Sequence, residues 1–247
     1  MVLELTEKQL FDYSICPARY AIEHKLHVVP ETSPSLSKLL GRVANSLLLS
    51  LLNGKALTTG QLKDKWDRVC EDNRAVMTQQ NCLTGLDMLL AMYRWAEDER
   101  LRVADFKIPY QYLMRKEEPQ IILKGEIAGA IIPKGNNSFE LLELDFSSRY
   151  PDQALIDMNL KRTIDWKMCS LMSKDAELAG IRIHHVKSNK DWYTVRGKED
   201  FERMDASIRA IATCIDNELF YPRETVMCST CEVKNFCRLW RGNKLDK

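Results

Sequence analysis

Cys228, Cys231 and Cys237 stand at C-x2-C-x5-C spacing near the end of the chain. Two cysteines three positions apart can aim both thiolates at one metal centre, and a third after a short loop adds another ligand. A four-thiolate site needs one more. Cys16 is the leading candidate, because it sits at a helix break beside Pro17. Cys70, Cys82, Cys169 and Cys214 fall within helical patterns and read as core thiols, free cysteine being among the most buried residue types. Spacing alone leaves zinc and an iron–sulfur cluster both open. A centre joining Cys16 to the triplet would tie the two ends of the chain together, and closing so long a loop is strongly stabilising in principle.

The elements that must position these residues follow from pattern. Thr6-Glu7-Lys8-Gln9 is a capping box and opens a helix through Leu10, Tyr13 and Ile15, which Pro17 stops. Residues 17–22 make a further helical turn, and 30–34 a connector. Leu36, Leu39, Leu40, Val43, Leu47, Leu48 and Leu51 recur at helical spacing and mark a buried helix with Gly41 inside it. A glycine there costs about 1 kcal/mol against alanine, so it is expected to permit close packing or ligand approach. Residues 59–103 read as two or three helices. Strands follow at 108–113, 121–132 and 139–146, the last two forming a hairpin through a turn at 134–138. Residues 152–172 read as one helix, 179–186 and 192–195 as strands, and 198–219 as a helix. The order predicts an α/β (α+β) fold with one central mixed sheet flanked by helices. A single domain is expected, with a mainly helical part at 5–104, a sheet core at 105–220 and a cysteine tail at 221–247 closing onto Cys16.

Charge sets limits on function. Thirty-six Lys and Arg against 35 Asp and Glu leave a net charge of +1, so a surface for nucleic acid must be a local patch. The tail has such an excess, with Arg223, Lys234, Arg238, Arg241, Lys244 and Lys247 outnumbering its acids. The most apolar run, 46–52, is far too short to span a bilayer. The N-terminus lacks the basic-then-apolar pattern of a signal peptide. The expected setting is therefore the reducing cytoplasm, where clustered cysteines more often bind metal than form disulfides.

Two stretches carry a resemblance. Leu5-Thr6-x3-Leu10-x2-Tyr13-x2-Cys16-Pro17-x-Arg19-Tyr20 begins it, and Phe220-Tyr221-Pro222-x5-Cys228-x2-Cys231-x5-Cys237 ends it. The chain resembles the RecB-like branch of the PD-(D/E)XK nuclease superfamily in its iron–sulfur form. Relatives include CRISPR-adaptation and recombination nucleases. The resemblance implies a restriction-endonuclease-like sheet, and a [4Fe–4S] cluster, in preference to zinc, on Cys16, Cys228, Cys231 and Cys237. The family's catalytic motifs are degenerate here. G-x3-H becomes Gly41-Arg42-Val43-Ala44-Asn45, and G-x2-D becomes Gly125-Glu126-Ile127-Ala128. D/E-x-K becomes Asp145-Phe146-Ser147, and Asn159 replaces the glutamine of a later helix.

Metal-dependent hydrolysis needs carboxylates to hold the cation over the scissile phosphate and a lysine to offset developing charge. Asn45, Ala128 and Ser147 do not fill those roles. The expectation is an inactive nuclease-like protein that keeps a groove for DNA, single-stranded in particular. It would serve replication, recombination or transcription beside a polymerase, helicase or other DNA-processing partner. Arg42, Arg149, Lys161, Arg162 and Lys167, with Trp166, lie where the family's cleft would be. Two other readings stand beside this one. A migrated site of Glu126, Glu143 and Asp145 would make an active exonuclease, and retention of the fold alone would make a protein–protein adaptor or inhibitor.

Overall fold

The computed structural model describes residues 2–29, 34–55, 57–116, 119–133, 138–173 and 177–237. Most of the expected connector at 30–34 and turn at 134–138 lies outside these residues, as do Arg238, Arg241, Lys244 and Lys247. The strands are β1 (Val2–Thr6), β2 (Arg102–Arg115), β3 (Gln120–Ile132), β4 (Phe139–Asp145), β5 (Leu178–His185) and β6 (Lys190–Thr194). They form a mixed sheet in the order β1-β3-β4-β5-β6, with β2 also paired to β3. The α-helices are α1 (Glu7–Ile15), α2 (Pro17–Tyr20), α3 (Leu36–Leu52), α4 (Thr59–Asp72), α5 (Gln79–Asp98), α6 (Gln153–Asp157), α7 (Leu160–Met172) and α8 (Lys198–Asp216). This is the expected α+β class. Among the described residues no helix is long and apolar enough to cross a membrane. The chain divides into two compact units, neither continuous in sequence: Met1–Thr32, Pro109–Gly125 and Glu199–Lys247 form one, and Ser33–Ile108 with Glu126–Lys198 the other.

In the first unit, β1 lies parallel to the start of β3, from Val2 opposite Gln120 to Thr6 opposite Lys124. Thr6 then caps α1. Its hydroxyl accepts from the Gln9 N–H at 3.3 Å, and the Gln9 side chain accepts from the Thr6 N–H at 2.8 Å, the reciprocal box the sequence predicts. The helix stops where Cys16 takes an extended backbone, φ −158°, and Pro17 opens α2 at the one helical position where a missing N–H costs nothing. A π turn at Ala21–Lys25 follows. Met204, Ile208, Ala212 and Ile215 form the buried stripe of α8. A Cβ on Gly125 would collide with the ring of Tyr110, whose hydroxyl donates to Glu7 at 2.7 Å. That glycine is a packing requirement of the strand.

In the second unit, α3 and α5 supply most of the core, Leu39, Leu40, Val43, Leu47, Leu89 and Met92 being buried with Trp66 of α4. Each such side chain contributes about 1.5–3 kcal/mol when fully buried. The end of β3 pairs antiparallel with β4, Ala130 opposite Leu141, as the predicted hairpin requires. β4 and β5 are parallel, and β5 and β6 antiparallel. The single helix expected at 152–172 is two helices. Asn159 breaks it, its side-chain oxygen accepting from the Arg162 N–H at 3.1 Å to cap α7.

Candidate functional site

The four cysteines of the resemblance line one cavity in the first unit. Cys16, Cys228, Cys231 and Cys237 share its wall with Ile15, Ile22, Met227 and Val233. Short 3-10 turns, Val226–Thr230 and Lys234–Phe236, fold the tail back on itself here. Backbone donors face the sulfurs: the Arg223 N–H points to Cys16 Sγ and the Thr225 N–H to Cys228 Sγ, each at 3.4 Å. Such N–H···S bonds favour a thiolate and tune a metal bound to it. Burial pushes the Cys231 thiol up, while the Val233 backbone hydrogen bond and the Arg19 guanidinium pull it down. No three of these sulfurs lie mutually within 4.8 Å.

The tail is held at Cys16 by α1 and α2. Tyr13 donates to the Leu219 carbonyl at 2.7 Å, and the Ala18 N–H to the Tyr221 carbonyl at 3.1 Å. Tyr13 and Tyr20 also pack against Phe220, at ring separations of 6.5 and 5.8 Å. Behind the cavity lies a charge network that the sequence reading did not single out. Buried Asp12 accepts from Lys8 at 2.6 Å, and its carboxylate lies 2.8 Å from His24 Nε2. Arg19 donates to Glu23 at 2.7 Å and stands 3.4 Å from Asp12. Asp12, Glu23 and His24 come within metal-ligand reach of one another, but Lys8 and Arg19 already neutralise both carboxylates. The set fixes Arg19, which reaches the cavity wall. Its signal in the sequence, acids and bases at helical spacing, is indistinguishable from a solvated helix face.

The second unit holds a cleft of about 450 Å³. One face of α3 (Ser37, Gly41, Asn45 and Leu48) forms one side, and Phe106 of β2, Ala128 of β3, residues 142–147 at and after the end of β4, and Lys161 of α7 the rest. The degenerate motif positions Asn45, Ala128, Asp145 and Ser147 thus share one cavity. No heavy atom lies within 4 Å of where a Gly41 Cβ would stand, so this glycine opens space toward the cleft. Two acids reach it, and each has an internal partner. Glu143 Oε2 accepts from Arg162 Nε at 2.9 Å and Nη2 at 2.7 Å. Asp145 accepts from the Ser147 N–H at 2.8 Å and the Ser147 hydroxyl at 3.1 Å. Glu126 is exposed and does not line the cleft. The structure therefore does not bring Glu126, Glu143 and Asp145 together as the migrated site requires.

The expected cationic contacts are placed unequally. Arg42 and Arg149 are exposed, and Lys161 is partly so while pairing with Asp165. Arg162 is turned inward to Glu143, its side chain only 15% exposed. Lys167 and Trp166 are half-buried. His184 is fully buried, stacked on Trp95 at 3.8 Å and bonded to Asp191 at 2.7 Å. Of the four cysteines expected in the core, Cys169 is buried while Cys70, Cys82 and Cys214 are only partly so; burial, reinforced by Asp165 and Asp105, pushes Cys169 up to about 11.

No protein-family model matches the chain, and no curated protein matches it. Among solved structures, a chain described as "Crystal structure of SSO0001" is similar at a TM-score of 0.41 and 12% identity, over 93% of this chain and 97% of that one.

Proposed function

We propose that the chain is a catalytically inactive, RecB-like nuclease-fold protein that carries a [4Fe–4S] cluster and binds single-stranded DNA as an accessory factor of a DNA-processing machine in the cytoplasm. The observation that carries this reading is a contrast between the two cavities. Four cysteines from opposite ends of the chain line one of them, with backbone donors aimed at two sulfurs. The other keeps two acids, each engaged by a neighbouring side chain.

Cys16, Cys228, Cys231 and Cys237 supply the four thiolates that a [4Fe–4S] cluster takes, in a cavity with partly apolar walls. A bound cluster would supply a covalent cross-link between α2 and the tail. Arg19, fixed by Asp12 and Glu23, offsets thiolate charge at the wall. Arg162 holds Glu143 Oε2, and Ser147 holds both oxygens of Asp145, so each acid of the cleft is engaged where a hydrolytic cation would bind. Beside the cavity stand the exposed Arg42, next to Gly41, and Arg149, two residues after Ser147. A phosphodiester backbone is the chemistry those cations suit.

Two measurements test this reading. Protein purified anaerobically from iron-replete cells is expected to be brown, with about four irons per chain, and Cys231→Ser is expected to lose the iron. Stoichiometric zinc without iron would contradict the cluster. With Mg²⁺ or Mn²⁺ no DNA cleavage is expected, whereas robust cleavage abolished by Asp145→Ala would overturn the inactive reading.

A further inference from the structure

The loop after β4 and the edge strand β6 bring an exposed tyrosine against a half-buried tryptophan beside the cleft. Tyr150 is 67% exposed. Its ring centroid stands 6.2 Å from Trp192 and 5.6 Å from His185. The Trp192 and His185 rings meet edge to face, 5.9 Å apart. His185 is buried and doubly held: Nε2 donates to the Ser147 carbonyl at 3.0 Å, so Nδ1 accepts from the Ser188 hydroxyl at 2.7 Å. Those bonds pin the loop three residues before Tyr150. A tyrosine with two-thirds of its surface in water adds little to a core, yet this one is braced from behind.

A cation stands by the ring: Lys190 Nζ lies 6.0 Å from the Tyr150 ring centroid. Arg149, the residue before Tyr150, is exposed. Nearby acids are engaged. Asp191 bonds His184 at 2.7 Å and faces Arg182 at 3.4 Å, and Asp152 caps α6. Ser147, at the root of the loop, lines the cleft.

We propose that Tyr150, braced by His185 and Trp192, is a stacking platform for one unpaired nucleobase, with Arg149 and Lys190 taking the flanking phosphates. An exposed aromatic face with a cation beside it is the arrangement that holds single strands without regard to sequence. Bases in a duplex are already stacked and offer it no face. The proposal rests on the reading that the chain binds single-stranded DNA and assigns where one base goes.

The test uses the full chain and two labelled strands of equal length, oligothymidylate and an abasic phosphodeoxyribose strand. Tyr150→Ala is expected to weaken oligothymidylate binding about tenfold or more, and Tyr150→Phe to stay within about twofold of wild type. On the abasic strand the wild type is expected to bind more weakly and Tyr150→Ala to match it. Tyr150→Ala binding oligothymidylate like wild type, or losing both strands equally, would overturn the platform while leaving DNA binding intact. A wild type that binds neither strand would overturn both the platform and the reading beneath it.

Discussion

Gly41 and Gly85 are both glycines inside helices, and their surroundings assign them opposite roles. Gly41 faces open space at the cleft. Gly41→Ala is therefore expected to stabilise the fold by up to about 1 kcal/mol, the intrinsic helix cost of glycine, while narrowing the cleft. Gly85 of α5 lies under the Trp66 ring, which an added Cβ would strike. The Trp66 indole donates to the Cys82 carbonyl at 2.8 Å and cannot simply swing away. Gly85→Ala is expected to destabilise by about 1–3 kcal/mol, as overpacking does. Urea denaturation of the two variants beside wild type reads both signs at once. Gly41 stood out in the sequence because it interrupts a leucine-rich helix. Gly85 did not, because its reason is a side chain on a different helix. The same limit applies to the charged residues. Arg162 and Arg42 look alike in sequence, and only the fold gives Arg162 to Glu143.

At the scale of elements, apolar spacing locates α3, α4 and α5, and the Thr6-x2-Gln9 pattern locates the cap of α1. It failed where the pattern ran through a break. Leu155, Ile156, Leu160 and Ile164 keep a helical rhythm across 152–172, but Leu155 is 70% exposed and Asn159 starts a new helix. Asn159→Ala is expected to cost about 1 kcal/mol by removing the cap, and Asn159→Asp to retain most of it. Thermal unfolding of both variants checks this, and equal stability of all three proteins would refute the capping role. Strand β1 was missed for a different reason. Five residues carry too little pattern to read alone, and β1 is defined by its parallel register with β3, 118 positions away from Val2 to Gln120. Pairing over that distance depends on the whole chain, not on local propensity.

At the scale of the molecule, the tail was legible as a partner of Cys16 only through cysteine spacing and family resemblance. The physical cause lies in contacts that sequence reading could not see: Tyr13 to Leu219, Ala18 to Tyr221, and the stacking of Tyr20 on Phe220. The cleft was legible in part. Positions matched by the resemblance line it, while the aromatic platform at Tyr150 comes from a loop and an edge strand that carry no motif. Both features bear on the proposal that the chain binds single-stranded DNA without cleaving it. The most direct test is equilibrium binding of the anaerobically purified chain to labelled single-stranded and duplex DNA at low and moderate salt. The account expects tighter binding to the single strand, weakening as salt rises because phosphate contacts release counterions. Absence of binding at low salt, with the cluster intact, would contradict it.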